Sequence, residues 1–96
     1  MMVIVAYDIC TVDETGEYRL RKINRICRNV GHNIQGSVFE CMVSPAELNY
    51  LREAITETID SSVDKVRIYH MGSNWEKDIE SLGADDGYDP KGALIV

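Results

Sequence analysis

The run Met2-Val-Ile-Val-Ala-Tyr7, stopped by Asp8, constrains this chain more than any other feature. It is continuously apolar, rich in β-branched residues, and shorter than an ordinary helix. Without polar alternation it reads as a central strand covered on both faces. In 96 residues there is material for one modest core and not for two. The other elements must therefore wrap around this strand, and residues 1–96 read as a single domain. At 45% hydrophobic and 27% charged residues the composition is that of an ordinary soluble globular protein. Burying surface in a dimer would help so small a core.

Residues 10–17, polar and acidic, read as the loop leaving this strand. From Tyr18 to Val30 the apolar residues Leu20, Ile23, Ile26, Cys27 and Val30 recur at helical spacing, with Arg21, Arg25 and Arg28 opposite. Gly31 is expected to end the helix in the usual C-terminal position. Ile34 to Val43 reads as a strand with Phe39, Cys41 and Val43 on one face, kinked or bulged at Gly36-Ser37. Ser44-Pro-Ala-Glu47 is a capping box with Pro at the first helical position, so a second helix starts there and buries Leu48, Leu51, Ile55 and Ile59. After the loop at Asp60-Ser-Ser, Val63 to Met71 reads as a strand, followed by a weaker extended stretch near Lys77 to Leu82. A loop from Gly83 to Pro90 leads to a short terminal strand, Ala93 to Val96, suited to pairing with a partner's sheet edge. If the kinked stretch counts as two strands, the order is βαββαβ. That is the α+β, ferredoxin-like arrangement with two helices on one face of a sheet.

Cys10, Cys27 and Cys41 make no C-x-x-C pair and no zinc pattern with His32 and His70, so they read as reduced core thiols. The apolar opening is too short for a signal peptide or a membrane span, which leads to the expectation of a cytoplasmic protein without a membrane partner. A net charge of −6 argues at first against nucleic acid. Its distribution argues the other way. Arg19, Arg21, Lys22, Arg25 and Arg28 form a segment of +5 with no acid inside it, leaving −11 on the rest of the chain.

Three pieces now stand in order: Val3-Ile-Val-Ala-Tyr7-Asp8-Ile9, then Gln35-Gly-Ser37-Val-Phe39-Glu40-Cys41, then Val66-Arg-Ile-Tyr69. In that order and spacing the chain resembles the CRISPR-associated protein 2 family, over nearly its whole length, most closely the forms that accompany type I systems. The resemblance implies a ferredoxin-like protomer and a homodimer whose two Asp8 residues share a divalent ion such as Mg²⁺. It further implies association with the CRISPR integrase during spacer acquisition in antiviral defence, and cleavage of RNA or duplex DNA, as some members perform. The expected function is thus a metal-dependent endonuclease and nucleic-acid-binding subunit. The alternative is a dimer that bridges the integrase on duplex DNA without catalysis. A small regulatory or metal-sensing domain shares the fold and is kept as a third reading.

Asp8 is the expected catalytic residue and metal ligand, since a carboxylate at the end of a rigid strand can reach both solvent and substrate. Asp also commonly ends strands by accepting turn hydrogen bonds, and the residue type alone leaves both readings open. Tyr7 is assigned to the catalytic site by the same resemblance, although strand alternation turns it toward the core. Nucleic-acid contacts are expected from Arg19, Arg21, Lys22, Arg25 and Arg28, whose guanidinium groups can take phosphates bidentately. Ser37 and Phe39 join them through the Ser-Val-Phe strand, although the usual burial of aromatics favours the core or a dimer interface for Phe39. Trp75 and Tyr88 read as single aromatics in connecting segments. His32 and His70 lack the spacing of a hydrolase triad.

Overall fold

The computed structural model describes residues 1–72 and 79–84. Its elements are β1 (Met2–Asp8), α1 (Gly16–Val30), β2 (Gly31–Gln35), β3 (Val38–Met42), α2 (Pro45–Thr58), β4 (Lys65–His70) and β5 (Ile79–Gly83). The strands form one antiparallel sheet in the order β2-β3-β1-β4-β5, so β1 is central as its sequence requires. The first four strands and both helices make the ferredoxin-like βαββαβ unit, with β5 added at the β4 edge.

Alternation along β1 sends Val3, Val5 and Tyr7 into the core, where they meet Ile23, Ile26 and Cys27 of α1 and Leu48, Leu51 and Ile55 of α2. Phe39 and Cys41 from β3, with Val66 and Ile68 from β4, complete that layer. Both helices lie on this face. The opposite face carries Ile4 and Ala6 of β1, cross-strand from Glu40 and Val38 of β3 and from Tyr69 and Arg67 of β4. This corrects the expectation that β1 is covered on both sides: Ile4, Ala6, Val38 and Tyr69 are only half-buried, and Met42 is 64% exposed.

The stretch expected as one kinked strand is a complete hairpin. Gly36, at φ +45°, turns the chain in a region L side chains seldom adopt, and a register shift between Asn33 and Gln35 precedes it. Gly31 does not end α1 in a left-handed conformation. Its backbone is extended, and its role is close approach: a Cβ there would lie 2.4 Å from Cys41 Sγ and 2.7 Å from Glu40 O. The capping box of α2 forms as read, with Ser44 Oγ accepting from Glu47 N at 3.1 Å and Glu47 Oε1 accepting from Ser44 N at 2.9 Å. β5, which overlaps the weak extended stretch, is tied down through Glu80. Arg52 of α2 donates to both of its carboxylate oxygens at 2.6 and 2.8 Å, and His70 of β4 meets the same group. Trp75, Tyr88 and the terminal Ala93 to Val96 lie outside the described residues. Among those described, no helix is long and apolar enough to cross a membrane.

Candidate functional site

Asp8 ends β1 directly across from Lys65 of β4 and is exposed. It stands where two cavities meet. One, of about 220 Å³ between β1 and β4, is lined by Ala6, Asp8, Lys65 and Arg67. The other, of about 410 Å³, runs toward α1 and the hairpin turn and includes Asp8, Thr11, Asn24 and Ser37. The chain beyond Asp8 is held firmly. Cys10 N donates to Asp64 Oδ1 at 2.9 Å, and Cys10 O accepts from Arg19 Nη2 at 3.1 Å. A fixed backbone two residues past the acid keeps its carboxylate at the sheet rim.

That clamp corrects the role expected of Arg19. Its side chain is buried, Nε donates to Asp64 Oδ2 at 2.7 Å, and Nη2 pairs with Asp13 Oδ2 at 2.9 Å. Asp13 is held below the usual carboxylate range, first by its hydrogen bond from Arg19. Arg19 therefore belongs to the interior and does not face phosphates. Arg21, Lys22, Arg25 and Arg28 are exposed as expected. Lys22 Nζ stands over the Tyr18 ring, 6.0 Å from its centroid. Arg21, Arg25 and Arg28 line a concavity of about 270 Å³ together with Asn24.

Tyr7 is buried, its ring stacked on Phe39 with centroids 6.2 Å apart, and its hydroxyl donates to Asn24 Oδ1. Burial pushes its phenol up to about 12, with Cys27 adding to the shift and Arg28 opposing it. Buried against Phe39 with its hydroxyl engaged by Asn24, Tyr7 packs and orients rather than facing substrate, which corrects the catalytic role expected of it. Phe39 is 1% exposed beneath the helices, so it is a core residue and not a stacking platform for bases. Ser37 lies half-buried in the turn, its carbonyl accepting from Tyr7 N at 3.1 Å, on the wall of the Asp8 cavity.

The sequence reading missed Asn24, Lys65 and Arg67. Asn24 was within reach, because positions 21, 24, 25 and 28 share one helical face. Lys65 and Arg67 alternate with the buried Val66 and Ile68, but only the β1–β4 register shows that they flank Asp8. His32 and His70 stand on β2 and β4, separated by β3 and β1, and His70 is engaged by Glu80. The three cysteines are free, and burial raises both Cys41 and Cys27, the latter to about 12, which makes them poor nucleophiles.

Among the described residues no three His, Cys, Asp or Glu groups gather as metal ligands. Asp8 supplies a hard oxygen donor in an exposed position, which suits Mg²⁺, an ion that keeps most of its waters and often takes one or two carboxylates. Among the described residues one chain offers Asp8 as such a donor, within the one or two carboxylates that Mg²⁺ takes.

The family model described as CRISPR associated protein Cas2 matches residues 1–79. The CRISPR-associated endoribonuclease Cas2 of Chlorobaculum tepidum is 42% identical over 96 residues, covering 100% of both chains. The CRISPR-associated endonuclease Cas2 of Halalkalibacterium halodurans is 39% identical over 95 residues, covering 99% of each. Among solved structures, Streptococcus pyogenes Cas2 superposes with a TM-score of 0.70 at 42% identity, over 86% of this chain and 100% of the other.

Proposed function

The chain belongs to the Cas2 family of CRISPR-associated proteins, and from that premise we propose that it is a Mg²⁺-dependent endonuclease acting as a homodimer in spacer acquisition. The observation that carries this reading is Asp8, an exposed carboxylate fixed at the end of the central strand where two cavities meet. Relatives bear the names endoribonuclease and endonuclease, which directs the reading to phosphodiester bonds. In the dimer, the two Asp8 carboxylates would hold a divalent cation, which would supply Lewis-acid polarisation of a phosphate oxygen. Lys65 and Arg67 place positive charge in the same cavity, where it attracts a phosphate and opposes negative charge developing on it. The Arg19–Asp64 clamp keeps Asp8 still, and the row Arg21, Arg25 and Arg28 grips the backbone further along.

The sheet face on which no described helix lies supports the dimer. Ile4, Ala6, Val38, Met42 and Tyr69 leave an apolar surface beside Asp8 that a second copy would bury.

A labelled RNA and a labelled duplex, incubated with Mg²⁺, test the catalytic reading. Asp8→Asn is expected to lower cleavage at least about 100-fold, on the scale of a positioned catalytic group, with the dimer intact by sedimentation. Undiminished cleavage removes Asp8 from the reaction. The arginine row lies on α1, apart from Asp8, and this favours a second reading in which the dimer bridges the integrase along duplex phosphates without hydrolysis. Spacer acquisition in cells separates the two: Asp8→Asn abolishes acquisition only if hydrolysis serves it.

A further inference from the structure

The cavity of about 410 Å³ between Asp8, α1 and the hairpin turn is in the size range of small-ligand sites. It also links the two halves of the proposed machinery. Asn24 lines both this cavity and the arginine concavity, so a strand leaving Asp8 toward Arg21, Arg25 and Arg28 passes over its side chain.

The amide is oriented by the protein. Tyr7 OH donates to Asn24 Oδ1, which commits the oxygen to the core side and leaves the Nδ2 donors for the cavity. Nδ2 has no partner among the described residues. Thr11 and Ser37 line the same cavity with the apolar Ile9 and Leu20, and beside Gly36 the space is open, with nothing within 4 Å of the position a Cβ would take. The wall is thus uncharged except at Asp8, with the Asn24 amide as its oriented donor. Such a wall fits an acceptor-bearing group that is part of a longer strand, because a free phosphate dianion would meet the Asp8 carboxylate with no cation among the residues lining this cavity.

We propose that this cavity seats one nucleotide unit of a single strand, with Asn24 Nδ2 donating to its phosphate so that the next phosphodiester lies at Asp8. The assignment rests on the nuclease reading and makes the substrate more specific. A recess of this size admits an unpaired, unstacked nucleotide, whereas a duplex would have to give one up at a cost in stacking and pairing. Asn24 is a positioning residue here, and Tyr7 acts through it.

The test uses the full chain, ¹⁵N-labelled and held in EDTA so that nothing is cleaved. The probes are a single-stranded RNA tetranucleotide and a duplex RNA of matching sequence. The tetranucleotide is expected to shift the Asn24 side-chain NH₂ resonances more than the duplex does. Asn24→Asp keeps the acceptor for Tyr7 and replaces the donors by a charge, so it is expected to weaken tetranucleotide binding at least tenfold. In cleavage it should raise KM more than it lowers kcat. Tyr7→Phe, which frees the amide to rotate, should weaken binding severalfold. An Asn24 resonance unmoved at saturation, or Asn24→Asp binding within twofold of the parent, overturns the subsite. An equal shift from the duplex overturns the single-strand assignment. Asp8→Asn separates this from the reading beneath it: if that variant still cleaves while Asn24→Asp fails to bind, the catalytic role falls and the subsite stands.

Discussion

Asp64 is wholly buried, yet it is an acid, and its surroundings explain how it is tolerated. It accepts from Cys10 N, Asp60 N and Arg19 Nε, so its lone pairs are satisfied by donors from three parts of the chain. Asp64→Ala removes these bonds, with a longer one from Arg19 Nη2 at 3.4 Å, and leaves Arg19 to Asp13. Loss of one partner of a buried pair costs about 3–5 kcal/mol, to be read from the urea midpoint. A cost under about 1 kcal/mol would mean that the pair is not what fixes the loop after Asp8. This network was only half legible. Positions 19, 23, 26 and 27 share one helical stripe, which places Arg19 inward, but its charge drew it into the exposed row. Asp64 looked like one more polar loop residue, since its partner lies 45 positions away in sequence and is chosen by the fold. The place of Asp8, by contrast, was readable, because it ends an unmistakable apolar strand.

Among the elements, α2 was plain in the sequence because its start is written locally in Ser44, Pro45 and Glu47. The β2–β3 hairpin was not, because a single turn at Gly36 decides between one strand and two, and only sheet pairing settles it. α1 carries the salt-dependent prediction. Each phosphate neutralised contributes about −0.9 to the slope of log K against log salt for a duplex, or about −0.7 for a single strand. Replacing Arg21, Arg25 and Arg28 together by Gln should therefore flatten the measured slope by about 2–3; an unchanged slope removes this face from the binding surface. β5 carries a pH prediction. Glu80 is held below the ordinary carboxylate range, chiefly by Arg52 and further by His70. A depressed folded value means the contribution is complete above the unfolded value of about 4.3 and is lost as pH falls below it through the folded value. Hydrogen exchange in Ile79–Gly83 should quicken over that acid range, before exchange in β1. Arg52→Gln should move the onset to higher pH, and coincident opening of both strands would show that Glu80 does not set β5 docking.

At the scale of the whole molecule both helices cover one face of the sheet, and among the described residues no helix lies on the other. Reading β1 as covered on both faces does not hold among the described residues of one chain and would hold in the proposed dimer, because a continuous apolar strand records everything that packs on it. Ile4 sits at the middle of the open face, on the central strand and cross-strand from Glu40 and Tyr69. Asp8 shares that face four residues on, so in the proposed dimer a face-to-face pair would bury Ile4 and bring the two acids to a common edge. Two carboxylates about 4 Å apart repel by roughly 4 kcal/mol at an effective dielectric of about 20, so apolar burial and a shared cation must together hold them there. Ile4→Glu leaves the helical core untouched but sets a charge at the centre of the proposed interface. The variant is expected to unfold at nearly the parent's urea midpoint, to sediment as a single chain, and to lose Mg²⁺-dependent cleavage. It should keep the tetranucleotide site at Asn24, whose walls all belong to one chain. A variant that remains dimeric would place the contact elsewhere, and a single chain that still cleaves would show that one Asp8 suffices.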